Sequence, residues 1–262
     1  MATSAPPIIA LENRLRECPF VRALGVRPNY SDYNEAEREL IDSAVKIYYP
    51  SSFYAELFDT IGKKTFPSYH TYKYAQDKIK QTALFNLAGI DHPHTRVFYG
   101  KRQKGKILEL FDFPFIAKIA RGSALGRGVF LIRSHLELAK YFRIPGPAYI
   151  QEYLPIDRDI RVVVIGRKVA LAYWRIAAPG NHRTNLGAGG GVDLSPVPGQ
   201  AIELALHTAR KCRWDDVGID ICMHSGRYYV LEGNMKYGRQ GFRQAGIDYT
   251  QLMSQLIQQG EI

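Results

Sequence analysis

The sequence predicts a mixed α/β fold, and three stretches carry that prediction. In residues 217–238 (VGIDICMHSGRYYVLEGNMKYG), 218–222 and 228–232 both read with period two, and 224–227 supply the turn of an antiparallel hairpin. In residues 113–132 (FPFIAKIARGSALGRGVFLI), two short apolar strands flank a glycine-rich loop. Residues 134–143 (SHLELAKYFR) read as a helix, with Ser134 as N-cap and Glu137 as its capping-box partner.

Composition bounds the rest. The 262 residues suffice for one large domain or two small ones. No apolar run approaches a membrane span, and the first twenty residues lack a basic segment followed by a long apolar one. Cys18, Cys212 and Cys222 are odd in number and far apart, which fits neither a disulfide framework nor a zinc site, so a reducing cytoplasm is the expected compartment. The formal charge is +10, and residues 96–143 hold eleven Lys or Arg against three acids, a local excess of +8. That excess favours an anionic partner (nucleotide, acidic substrate or nucleic acid) without choosing among them.

Taken in order, residues 1–30 read as an arm interrupted by Pro6, Pro7, Pro19 and Pro28, with one short helix at 9–17. Residues 34–43 read as a helix and 45–49 as a strand. A second helix runs from a cap at Ser51 or Ser52 to about Ile61 and stops at Gly62. This α/β unit is too short for a dinucleotide fold and has no GxGxxG. Residues 74–88 (YAQDKIKQTALFNLA) read as a helix with Ile79, Ala83, Leu84, Leu87 and Ala88 inward and Gly89 as its stop. A strand at 95–99 follows, then a solvated basic loop, KRQKGK.

Lys118 sits inside an apolar strand, where an unpaired ammonium is costly. The loop after it differs from a P-loop, which feeds a helix and ends GK[ST]; a strand lysine followed by a glycine flap suits polyphosphate instead. Residues 149–153 read as a strand. Two further strands meet at Gly166-Arg167, and Asp159 and Arg161 share a face of the first. Residues 181–191, with a GAGGG run, form a polar glycine-rich segment; 198–211 and 249–258 read as helices. On the hairpin, Asp220, Glu232 and the Asn234 amide assemble a hard, all-oxygen set suited to magnesium. The plainer reading is that Asp220 pairs with an arginine and Glu232 ends a strand at the surface.

With these pieces in order, the chain resembles the ATP-grasp superfamily, and within it the RimK-type α-L-glutamate ligases. The resemblance covers roughly residues 76–257 through QDKIKQTALFNLAGIDHPHT, PFIAKIARGSALGRGVFLI, YIQEYLPIDRDIRVVVIG, HRTNLGAGG, and GIDI followed by LEGN. It implies two α+β subdomains gripping ATP, 76–148 with the flap and 149–262 with the metal site, behind a reduced N-terminal α/β region at 1–75. Lys78 and Lys118 look like the phosphate lysines, and Gly122, Ser123, Gly126 and Gly128 like the flap. Gln151, Glu152, Tyr153 and Leu154 look like the adenine hinge, and Asp159 like the ribose acid. Asp220, Glu232 and Asn234 match the ligands of two magnesium ions, with manganese a possible substitute. Arg175, Arg183 and Asn185, joined by Arg161, match positions near the γ-phosphate and the substrate carboxylate.

The resemblance implies an ATP-dependent carboxylate–amine ligase that forms an amide through an acylphosphate, adding glutamate or another acidic amino acid to a small molecule or peptide. Two alternatives stand beside it: a phosphotransferase on the same fold, and a non-catalytic basic module binding nucleotide or RNA. Two departures bear on substrate choice. Met235-Lys236-Tyr237-Gly238-Arg239 replaces the family's small-residue, proline-containing turn, and the N-terminal region is short, leaving room for a second subunit in a homo-oligomer.

Overall fold

The computed structural model describes residues 7–74, 77–121, 128–178 and 190–262. The chain begins with strand β1 (Ile8–Ala10), a 3-10 turn at Asn13–Leu15 and strand β2 (Val21–Ala23), so the helix expected over 9–17 is not formed. Ile9 and Ala10 are fully buried between neighbouring strands, and pairing overrides the local helical preference. Helix α1 (Glu35–Ser43) carries a complete capping box between Asn34 and Glu37. Strand β3 (Lys46–Tyr48), helix α2 (Ser51–Thr60) and strand β4 (Lys64–Phe66) follow. The four strands are parallel in the order β2-β1-β3-β4.

The helix expected over 74–88 is divided. Helix α3 (Tyr69–Tyr74) ends early, and α4 (Lys78–Ala88) starts afresh with Asp77 accepting from the N–H groups of Ile79 and Lys80 at 3.0 and 3.1 Å. Its inward face is also different: Gln81, Thr82 and Phe85 are buried, whereas Leu87 is 88 % exposed. The reason is polar. Gln81 exchanges two hydrogen bonds with the backbone of Gly233, at 2.8 and 2.9 Å, and Thr82 meets the Tyr149 hydroxyl at 2.7 Å. Buried polar groups with partners take the place that an apolar stripe was expected to fill.

Strand β5 (Thr95–Phe98) leads into α5 (Gly100–Lys104), a short helix where a basic loop was expected. Strands β6 (Phe115–Lys118) and β7 (Val129–Ile132), helix α6 (His135–Tyr141) and strand β8 (Ala148–Glu152) complete an antiparallel sheet ordered β5-β8-β6-β7. Ser134 caps α6 as its sequence suggests. The last sheet is built from β9 (Arg158–Ile165), β10 (Lys168–Ile176), β11 (Gly191–Asp193), β12 (Asp216–His224) and β13 (Arg227–Asn234), in the antiparallel order β11-β10-β9-β12-β13. Helix α7 (Gly199–Cys212) covers one face, burying Ala201, Ala205 and Ala209 with Ile160, Val162, Ile219 and Val230. Helices α8 (Gln240–Gln244) and α9 (Tyr249–Gln258) close the chain, and Met253 of α9 packs in a cluster with Tyr48, Tyr49 and Val163. Among the described residues no helix is long and apolar enough to cross a membrane.

Candidate active site

The site forms where α4 joins the two antiparallel sheets, since Thr82 bonds β8 and Gln81 bonds β13. Asp220 on β12 and Glu232 on β13 are register partners. A bulge makes them so. Pairing runs Asp220↔Glu232 and then Ile221↔Val230, leaving Leu231 as the extra residue. In a regular ladder Leu231 would oppose Asp220, and Glu232 would point toward α7 with Val230. The inserted residue turns Glu232 and Asn234 onto the face of Asp220.

Asn234 Nδ2 then donates to Glu232 Oε1 at 3.0 Å and to Asp220 Oδ2 at 3.3 Å. Two carboxylates and an amide within such reach are the hard donors that a magnesium-class ion takes, and a half-turn of the amide presents its oxygen to the same point. The residues fit a divalent cation. Among the described residues no third Asp, Glu, His or Cys joins them.

Lys78, the first residue of α4, places Nζ 3.0 Å from Glu232 Oε2. Burial by itself would raise the Glu232 carboxyl, but Lys78, Lys118 and the Asn234 amide overcome it and hold the group at about 2. Lys118, at the end of β6, is 7 % exposed and lies 5.8 Å from the centre of the Tyr149 ring. Burial pushes its ammonium down to about 8; Glu232 opposes that shift and Lys78 adds to it. Two lysines and an ionised glutamate thus cluster in a low-dielectric setting.

On the other side of Asp220 stand the arginines. Arg161 holds Asp220 through two donors, Nε to Oδ1 and Nη2 to Oδ2, the second at 2.9 Å. Arg175 forms a fork on Asp159 at 2.7 and 2.6 Å and reaches Asp220 Oδ2 at 2.9 Å. Burial opposes the charge on Arg175, and the two carboxylates restore it. The plainer reading of Asp220, as the partner of an arginine, is thus what the side-chain contacts show. Asp159, expected at the ribose, is 2 % exposed and engaged by Arg175.

The flap's base is fixed to α4: Lys78 N–H donates to Ala120 O at 3.3 Å, Ile119 N–H to Gly128 O at 2.7 Å, and Arg121 Nε to Asp77 at 3.0 Å. Gly122, Ser123 and Gly126 lie outside the described residues, as do Arg183 and Asn185. At the expected adenine hinge, Gln151 is buried with its amide on Thr95 Oγ1 at 2.9 Å. Glu152 exchanges bonds with His94, through its backbone N–H at 2.9 Å and its carboxylate at 2.5 Å. Tyr153 and Leu154 continue past β8, half buried. The sequence reading missed Gln81, Thr82 and Tyr149, whose only signal was polarity where a buried face was forming.

The segment after Asn234 is held by the N-terminal arm. Arg14 donates to Met235 O at 3.3 Å, its guanidinium lies 4.9 Å from the Tyr237 ring centre, and Arg239 donates to Arg14 O at 3.1 Å. Tyr237 O in turn accepts from Arg161 at 3.3 Å.

The chain is similar to known proteins. Residues 75–257 match the RimK-like ATP-grasp domain. A ribosomal protein bS6–L-glutamate ligase from Escherichia coli O81 (strain ED1a) is 29 % identical over 192 residues, which is 70 % of this chain and 64 % of that protein. The chain thus spans less than two thirds of the length of the curated relatives it matches. The fold is shared with a RimK domain ATP-grasp protein from Sphaerobacter thermophilus DSM 20745, at a TM-score of 0.69, 16 % identity and coverage of 95 % and 98 % of the two chains. An ATP complex of D-alanine–D-alanine ligase from Bacillus anthracis superposes at a TM-score of 0.70 with 13 % identity, covering 97 % of each chain. The chain has the ATP-grasp fold and belongs to the RimK-like ATP-grasp family.

Proposed function

We propose that the protein is an ATP- and magnesium-dependent ligase that joins a carboxylate to an amine. The observation that carries this reading is the meeting of Asp220, Glu232 and Asn234 with Lys78 and Lys118 in one cluster. A carboxylate substrate and the γ-phosphate of ATP are both anionic, so the pocket must neutralise charge before they can meet. In this reading Lys78 and Lys118 hold the polyphosphate, and the flap around Gly128 covers it. Asp220, Glu232 and Asn234 would hold magnesium, which when bound shields the phosphate oxygens. Tyr153 and Leu154 receive the adenine edge.

The substrate carboxylate attacks the γ-phosphorus, ADP leaves, and the acylphosphate then yields phosphate as the amine forms the amide. Each step transfers an existing group and needs no nucleophilic side chain of the protein. Arg175, Arg161, Arg183 and Asn185 are assigned to the transferring phosphoryl group and the substrate carboxylate. Asp159 and Asp220 keep the two buried guanidiniums oriented at the edge of the pocket. The curated relative is named for adding glutamate to a ribosomal protein. The +8 excess over residues 96–143 suits an acidic substrate here as well.

The test is ADP release from Mg·ATP across amino acids, diacids and acidic peptides, offered singly and in pairs. Release that needs an acid and an amine together, and that is lost in Glu232→Gln, is the expected result. Release with a hydroxyl acceptor alone would replace the ligase by a phosphotransferase. ATP binding without turnover on any pair would remove the catalytic reading.

A further inference from the structure

On the face of the last sheet turned away from Asp220, a cavity of about 660 Å³ opens beside the C-terminal end of α7. Val164, Leu206 and Ala209 give it an apolar floor, and Arg167, Arg210 and Arg213 stand around it. Local backbone brings these arginines together. Arg167 follows the left-handed Gly166 in the β9–β10 turn, and Arg213 is itself the left-handed residue (φ 57°) that ends α7. All three are exposed, and among the described residues none forms an ion pair with a carboxylate. Asp215 also lines the cavity, but its carboxylate is engaged by the Ser68 N–H at 2.8 Å and the Thr71 hydroxyl at 2.8 Å.

Trp214 adds a second, independent observation. It lines the cavity, is 2 % exposed, and its indole Nε1 finds no hydrogen-bond partner. A buried indole N–H is a donor in need of an acceptor. The benzenoid edge packs on Gly233, where a Cβ would lie 2.5 Å from the ring, so the ring is fixed with its N–H edge turned away from β13.

We infer that this cavity is a second binding site, for a phosphorylated small molecule of nucleotide size. Its volume is that of a small-ligand pocket. Planar guanidiniums with no carboxylate partner among the described residues match phosphate oxygens in two-pronged fashion; Arg210 has only the His207 ring, at 3.5 Å. The floor takes the apolar part of the ligand. The cavity lies across the sheet from Asp220 and Glu232, so its occupancy is separable from nucleotide binding at the candidate active site.

The chain has two tryptophans, so Trp174→Phe leaves Trp214 as the sole indole reporter. Titration of this variant with inorganic pyrophosphate, AMP and citrate reads the site directly by emission. Saturable change with a phosphate probe is expected, weakened by at least about tenfold when Arg210→Gln and Arg213→Gln are added. Circular dichroism checks that the exposed double substitution leaves the fold intact. Three results would each overturn the inference: no saturable change with either phosphate probe, equal affinity in the double variant, or tighter binding of citrate than of both phosphates.

Discussion

Glu232 faces Asp220 because Leu231 is one residue too many for the β12–β13 ladder. The two carboxylates nonetheless carry different loads. Asp220 neutralises Arg161 and Arg175 inside the protein, whereas Glu232 pairs with Lys78 and accepts from the Asn234 amide. Asp220→Asn should therefore unfold the protein more readily than Glu232→Gln does. Leaving buried arginines short of a partner typically costs about 3–5 kcal/mol. Urea titration compares the two variants; equal destabilisation would show that the arginines do not depend on Asp220.

Glu232→Gln should act on chemistry instead. Loss of even an outer partner of a bound metal typically costs 10–100-fold, so ADP release should fall by more than about a hundredfold while the melting temperature changes little. Retained release at saturating magnesium would take Glu232 out of the cation site.

Lys118 makes stability depend on pH. Its ammonium sits near 8 when folded against 10.5 for the free group. Below about pH 8 both states hold the proton and the folded chain bears the whole penalty, roughly 3 kcal/mol. Between 8 and 10.5 the unfolded chain still binds a proton that the folded chain has released, so this residue's contribution to stability rises with pH. Lys118→Met should thus stabilise the nucleotide-free protein most at pH 7, and the gain should shrink as pH rises through that window. Chemical unfolding of both proteins at pH 7 and pH 10 checks this; a gain independent of pH would contradict it.

Arg14 ties the N-terminal arm to the segment after Asn234. Asp216 is fully buried, accepts from the hydroxyls of Tyr49 and Tyr237 at 2.9 and 2.7 Å, and has the Arg14 guanidinium 3.9 Å away. Arg14→Met keeps much of the packing on the Tyr49, Tyr237 and Tyr249 rings but leaves that carboxylate without its cation. A loss of about 3–5 kcal/mol is expected, and the double variant Arg14→Met/Asp216→Asn should recover part of it. A double-mutant cycle with no coupling would separate the two residues.

Gly233 is a matter of space. A Cβ there would meet the Trp214 ring at 2.5 Å, and the neighbours of Gly233 are Glu232 and Asn234. Gly233→Ala should cost about 1–3 kcal/mol by overpacking and weaken magnesium dependence by moving the two proposed ligands. Pairing it with Trp214→Leu should restore stability; failure to do so would place the strain elsewhere.

The sequence by itself determined the strands and helices whose signals are local. Asn34 and Ser134 cap their helices through side chains only a turn away, Gly89 ends α4 in the left-handed region, and α9 spans the residues its pattern marks. It also determined which residue types could meet a polyphosphate and a divalent ion, because the types and order of the motifs are written in the chain. Tertiary structure decided the rest. Burial of Ile9 between parallel strands made a strand where a helix was read, and Gln81 turned a polar face of α4 inward because its partner, Gly233, lies 152 positions away. The Leu231 bulge brought Glu232 round to Asp220, and the arginine forks on Asp159 and Asp220 depended on the pairing of β9 with β10 and β12. Period and capping act over three or four residues, whereas a bulge or a buried ion pair is settled by a neighbouring strand that the local sequence does not contain.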